Sequence, residues 1–337
     1  MAQTTSLAFF NNKGGVGKTT LSCNMAAQLA EKAALSILYV DCDPQCNATQ
    51  LLLDDDTWEG LYSNKQKSTN ATLLSVFKNI RVGDSTIVTD FPVVRSSRFD
   101  IDVLPGHPNL STLEDTFSSS WIEFKAGQIG AARRSLWAQY LVQAADYDLV
   151  IFDLGPSLGA LNRTVLLGCS AFVTPTAADL FSLYAVDNIG DWMKGWLREY
   201  RRAVADIDEK EPGVAEEWDI RDTPLIGSGY VGYTVQQYVS RSSRGGLRPV
   251  KAYDRYKKQI PARVKALADF TPPELDLDLG IVPNMFAMVP LAQGVHAPIT
   301  RLTQADGLRG AQIGQQRKYS AQLHAIAERL MENLGLS

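Results

Sequence analysis

Seven of the eight residues from Lys13 to Thr20 are glycine, lysine or threonine, the strongest chemical signal in the chain. Gly14, Gly15 and Gly17 let successive backbone N–H groups turn inward on an anion. A helix starting just after them adds the positive end of its dipole. In such a loop Lys18 reaches the β- and γ-phosphates of a nucleotide, and the Thr19 hydroxyl ligates Mg²⁺. The expected phosphate-binding set is therefore Gly14, Gly15, Val16, Gly17, Lys18, Thr19 and Thr20. Against the pattern G-x-x-x-x-G-K-[ST], Asn12 takes the place of the first glycine, and a second lysine, Lys13, follows it.

Carboxylates recur at the ends of apolar runs. Ser36 to Val40 leads into Asp41-Cys42-Asp43-Pro44, and Tyr147 to Phe152 leads into Asp153. Acids at the carboxyl end of a parallel strand lie where chemistry collects in open α/β sheets. Asp153 is placed to hold Mg²⁺ in the manner of a Walker B aspartate. A rival reading starts two residues later. Gly155-Pro156-Ser157-Leu158-Gly159 fits G-x-S-x-G, the nucleophile elbow of serine hydrolases, and His296 and His324 follow in the required chain order. That reading leaves Lys13 to Thr20 and Asp41 to Thr49 without a task.

Three stretches resemble the ParA/MinD family of deviant Walker A P-loop ATPases. Lys13 to Thr20 matches K-G-G-x-G-K-[ST]-T, and Asp41 to Thr49 looks like the D-x-D-P-Q-x-x-x-T first switch. Asp153 to Gly159 is similar to D-x-P-P-S-L-G, with Gly155 in place of the first proline. The resemblance implies that Lys13 crosses a dimer interface to the nucleotide of the other subunit and neutralises charge during phosphoryl transfer. It implies that Asp43 positions or activates the attacking water and that Asp41 lies near the Mg²⁺ shell. It further implies ATP and Mg²⁺ as cofactors, an ATP-dependent homodimer, slow hydrolysis, a ParB-like stimulating protein, and non-specific DNA binding by the dimer. The closest likeness is to ParA-type partitioning ATPases without an N-terminal helix-turn-helix. A switch ATPase that positions a protein complex without DNA is the alternative.

These groups need a scaffold. Leu7 to Phe10, Ser36 to Val40, Tyr147 to Asp153, Leu225 to Thr234 and Leu277 to Pro283 read as strands, Phe99 to Leu104 alternates as one, and Thr164 to Val173 reads as a helix end and another buried strand. Helical spacing follows from Thr20, over 111–145, after Asp179, over 250–268 and from Tyr319 to Leu334, with a short helix at Thr72 to Asn79. The expected fold is a single α/β domain over 1–337, a mostly parallel twisted sheet with helices on both faces, enlarged at about 54–135 and 191–275.

Composition is that of an ordinary globular protein, with 45% apolar and 21% charged residues and a net charge of -4. Nucleic-acid binding would therefore need a local patch. One exists at Arg241, Arg244, Arg248, Lys251, Arg255, Lys257, Lys258, Arg263 and Lys265, against Asp254 alone. The segment reads either as a solvated helix, free or paired to the acidic loop over 206–222, or as a contact for DNA phosphates or an acidic partner. No run is long enough to span a bilayer, and no basic region precedes the first apolar run. The expected location is the cytoplasm, at the nucleoid where the DNA reading holds. Cys23, Cys42, Cys46 and Cys169 form no C-x-x-C pair and make no metal site.

Overall fold

The computed structural model describes residues 4–237, 248–285 and 287–336. Arg241 and Arg244 lie outside the described residues, as do the side chains of Arg248 and Lys251.

The chain runs β1 (Thr5–Phe9), α1 (Lys18–Ala33), β2 (Ile37–Asp41), α2 (Asn47–Leu52), α3 (Asp55–Tyr62) and α4 (Lys65–Asn70). Next come β3 (Val94–Ser96), β4 (Ile101–Leu104), α5 (Leu113–Lys125), α6 (Ile129–Ser135), α7 (Trp137–Ala144), β5 (Leu149–Asp153) and α8 (Ala160–Gly168). The remainder is β6 (Ala171–Ala177), α9 (Leu180–Lys210), α10 (Val214–Glu217), β7 (Tyr230–Gln236), α11 (Arg248–Lys257), α12 (Ile260–Val264), β8 (Asp278–Val282), α13 (Met288–Gly294) and α14 (Ala311–Leu334).

The strands form one sheet in the order β3-β4-β2-β5-β1-β6-β7-β8. Every pairing is parallel except the edge pair β3 and β4. Strands covered on both faces read as unbroken apolar runs, and β5 is buried at all five positions. Alternation divides its residues between two cores. Leu149 and Ile151 pack with α1, α13 and α14, whereas Val150 and Phe152 pack with α5, α7, α8 and α9.

Several expected elements differ. The helical stretch over 111–145 is three helices, broken near Gly127 (φ 84°) and Leu136. The short helix expected at Thr72 to Asn79 is a 3₁₀ turn at Leu73–Ser75. Strand β7 begins only at Tyr230, because Leu225–Ser228 forms a 3₁₀ turn. The acidic stretch over 206–222 is not one loop: α9 continues to Lys210, and Glu216 and Glu217 sit in α10. The basic segment breaks between α11 and α12, where Pro261 suits only a first helical turn. No described helix is long and apolar enough to cross a membrane.

The topology fixes where chemistry can occur. Strand β1 lies between β5 and β6: the chain leaves β1 toward β2 on one side, and it leaves β5 toward β6 on the other. The crevice at such a switch point, outside the strands' carboxyl ends, is the ligand site of open α/β sheets.

Candidate functional site

Parallel register brings Phe9 level with Asp153 and Asp153 level with Asp41, so three strand ends deliver their loops to one crevice. The loop after β1 turns through Gly15 (φ 75°) and Gly17 (φ 77°), left-handed conformations that L side chains adopt only under strain. Gly17 is also the N-cap of α1, which aims the first amides of that helix into the crevice.

Lys18 and Thr19 open α1. The Lys18 side chain is largely buried, and its Nζ donates to the Lys13 carbonyl at 3.4 Å. Burial pulls its pKa below the ordinary lysine value, while Asp153 and Asp43 act in the opposite sense. Thr19 Oγ1 donates to Asp153 Oδ2 at 2.7 Å. The other Asp153 oxygen, Oδ1, is buried and lacks a hydrogen-bond partner. Burial and the neighbouring charge of Asp41 push the Asp153 carboxyl up to about 8, against the Thr19 hydrogen bond and the Lys18 charge.

This arrangement fits Mg²⁺. An orphaned carboxylate oxygen beside a threonine hydroxyl is a partial, hard-oxygen ligand set. Mg²⁺ takes few protein ligands and completes its shell with water and nucleotide phosphates. Accordingly, no group of three His, Cys, Asp or Glu side chains forms a metal cage among the described residues.

Asp41 lies close enough to Asp153 to act on it by charge, and it has bonds of its own. Its Oδ2 accepts from the Thr49 amide (2.8 Å) and hydroxyl (2.6 Å), and its Oδ1 from the Asp43 amide (3.3 Å). The same Thr49 hydroxyl accepts from the Gly106 amide at 2.9 Å, so Asp41 braces the first switch against the loop after β4. Burial pushes its carboxyl up to about 6. Among the described residues it therefore touches the Thr19–Asp153 pair through charge and not through a bond.

Asp43 faces the loop after β5, within the stretch Asp153 to Gly159 that serves as the second switch in the resemblance. A Cβ on Gly155 would lie 3.4 Å from the Asp43 carboxyl carbon, so the glycine that replaces the family's proline sits directly against this carboxylate. Asp43 Oδ1 accepts from the Gln45 amide at 3.0 Å. The loop after β5 is held by Asn162, whose side-chain amide donates to the carbonyls of Gly155 (2.8 Å) and Ser157 (2.9 Å).

Lys13 folds back within its own chain. Its ammonium pairs with Asp179 Oδ2 at 2.5 Å and donates to Ser182 Oγ at 3.1 Å. Asp179 is the N-cap of α9 and accepts from the Ser182 amide at 3.0 Å. Nothing in the sequence joins Asp179 to Lys13, 166 positions away.

The serine-hydrolase reading fails on geometry. Ser157 Oγ accepts from Asn162, and all three histidines of the chain are bonded elsewhere. His107 meets Ser68, His296 meets the Gln50 carbonyl and Asp55, and His324 meets Glu328.

A cavity of about 140 Å³ lies beside Gly17 and Thr20, lined also by Gln236, Asn284, Met285 and Tyr319. Gln236 ends β7, and its side-chain nitrogen would stand 2.6 Å from a Cβ on Gly17. Sequence reading assigned no residue here, because no recognised pair marks the end of β7. In the basic segment Arg255 and Lys258 are exposed, and neither they nor Lys257 make an ion pair among the described residues. Arg263 pairs with Asp187. No ion pair among the described residues joins this segment to the acidic stretch over 206–222.

A family model described as an AAA domain (AAA_31) matches residues 4–204. The chain belongs to this family, the ParA/MinD-type P-loop ATPases. The chain is 32% identical over 179 residues to the cell division protein PomZ of Myxococcus xanthus, covering 53% of this chain and 48% of PomZ. It is 29% identical over 181 residues to the chromosome partitioning protein ParA of Caulobacter vibrioides, covering 52% and 57%. The chain thus spans about half the length of the curated relatives it matches. Among solved structures, protein DIP2308 from Corynebacterium diphtheriae is 38% identical, with a TM-score of 0.74 over 87% of this chain and 97% of that one. An ATP complex of Cyanothece McdA shares the fold at 14% identity, with a TM-score of 0.59 over 100% of this chain and 98% of that one.

Proposed function

We propose that this protein is a Mg²⁺-dependent ATPase that works as an ATP-driven dimerisation switch in DNA partitioning. The observation that carries the reading is the Thr19–Asp153 pair with its orphaned carboxylate oxygen, set beside the buried ammonium of Lys18 at the mouth of a left-handed glycine loop. The amides of Gly14 to Thr20 and the Lys18 ammonium bind phosphate, and Thr19 and Asp153 hold the metal. Bound Mg²⁺ would neutralise charge on the transferring phosphoryl group. Asp43 orients water, with Asp41 holding Asp43 and Thr49 in register. The cavity by Gln236 and Met285 takes the base. Such sites act by positioning and by charge, so hydrolysis is slow until a partner completes the arrangement.

Dimerisation is supported by what surrounds Lys13. Leu180, Phe181 and Tyr184 are 39%, 72% and 51% exposed on the first two turns of α9, next to the Asp179 cap that holds Lys13. A second copy covering these side chains would place Lys13 within reach of its neighbour's nucleotide. DNA binding is supported by the exposed Arg255 and Lys258 and the half-buried Lys257. Binding of Asp43→Ala to random duplex DNA, with ATP and then ADP across a salt series, tests the reading. ATP-dependent binding that weakens steeply with salt upholds it. A dimeric protein that ignores DNA would move the switch to a protein assembly.

A further inference from the structure

Helix α8 begins at the second switch, yet it has no cap of its own. Its N-cap, Gly159, carries no side chain, and a Cβ there would collide with Glu114 Oε1. The acceptor comes from α5. Glu114 accepts from the amide of Ala160 through Oε1 and from that of Leu161 through Oε2, the latter at 2.9 Å. Two of the orphan donors of the first turn are thereby satisfied by a carboxylate 46 residues upstream, and the negative charge also suits the helix dipole. The nearby cation is Arg163, whose guanidinium stacks over Trp121 at 4.4 Å and feels the charge of Glu114.

The clamp leads to the water-handling carboxylate in three steps. Glu114 fixes the turn containing Ala160, Leu161 and Asn162. Asn162 holds the carbonyls of Gly155 and Ser157. Gly155 packs against Asp43. Gly155 leaves the backbone beside Asp43 less constrained than a residue with a side chain would.

We propose that Glu114 is a positioning residue for hydrolysis, tying the second switch to α5 and so to the enlarged region of the chain. The proposal rests on the ATPase reading above. It predicts that Glu114→Ala lowers kcat about five- to tenfold, the size expected for losing one helix cap from the aligned state, with KM for ATP unchanged. Glu114→Gln, which keeps one acceptor, falls between. Serine at position 159 returns a local cap, and removing Glu114 clears the space for it. Glu114→Ala/Gly159→Ser should therefore regain most of the lost kcat, whereas Gly159→Ser alone, forced against Glu114, should lose it.

ATP turnover by the four variants and the wild type, thermal melting, and hydrogen exchange over 154–161 are the measurements. Faster exchange over 154–161 with reduced kcat in Glu114→Ala, reversed in the double variant, supports the proposal. A variant that melts lower but keeps wild-type kcat makes Glu114 a fold-stabilising cap alone and overturns it. A wild-type protein that binds no ATP would sink the ATPase reading instead, and hydrogen exchange would still report whether the clamp exists.

Discussion

Binding of Mg·ATP should expel a proton from Asp153, and the amount follows from the site. The carboxyl is pushed up to about 8 by burial and by Asp41. Such a group is about nine-tenths protonated at pH 7 and about one-tenth at pH 9. Holding a cation requires the carboxylate, so binding releases about 0.9 proton at pH 7 and about 0.1 at pH 9. Asp41, at about 6, adds little at pH 7. Titration calorimetry with preformed Mg·ATP, repeated in buffers of different ionisation enthalpy, reads the number directly. Asp153→Asn should abolish the release. The same carboxyl sets the pH dependence of the unliganded fold. The folded state keeps a proton that the unfolded chain loses above about pH 4, so stability falls as pH rises from about 4 to about 8 and then levels. Wild-type binding without proton release at pH 7, or equal release by Asp153→Asn, would refute the reasoning.

Three further outcomes are expected. Thr49→Val leaves the Asp41 carboxylate without the hydroxyl at 2.6 Å, which should cost about 1–3 kcal/mol and lower the melting temperature. Phe181→Ala should weaken the ATP-dependent dimer while nucleotide affinity of the monomer holds, as sedimentation and nucleotide titration would show; an unchanged dimer would remove this face from the interface. Gly168→Ala would drive a Cβ into the Gln139 amide; overpacking of this kind costs about 1–3 kcal/mol, visible in denaturant unfolding.

Much of the site was legible because its parts are local. A glycine loop between strand and helix, and acids closing apolar runs, declare themselves within a few residues. The doubly covered strands β1, β2 and β5 were readable for the same reason, as runs with no polar face. What escaped depends on contacts across the fold. The Lys13–Asp179 pair spans 166 positions and the Glu114 clamp 46. The bonds of Asp41 to Thr49, eight positions on, were not legible either, because an acid at a strand end looks alike whatever it faces. The edge strand β3 has three residues, too few for any period to show.

The central claim is that Lys13 leaves Asp179 to serve the nucleotide of a second subunit. Complementation between Lys13→Ala and Asp43→Ala tests it most directly. Each variant alone should hydrolyse almost no ATP. Mixed in equal amounts, random pairing makes half of the dimers mixed, and each mixed dimer holds one site with an intact Asp43 and a lysine from its partner. The mixture should therefore recover about one quarter of wild-type turnover. A mixture as inactive as its components, or full activity in Lys13→Ala alone, would contradict the claim.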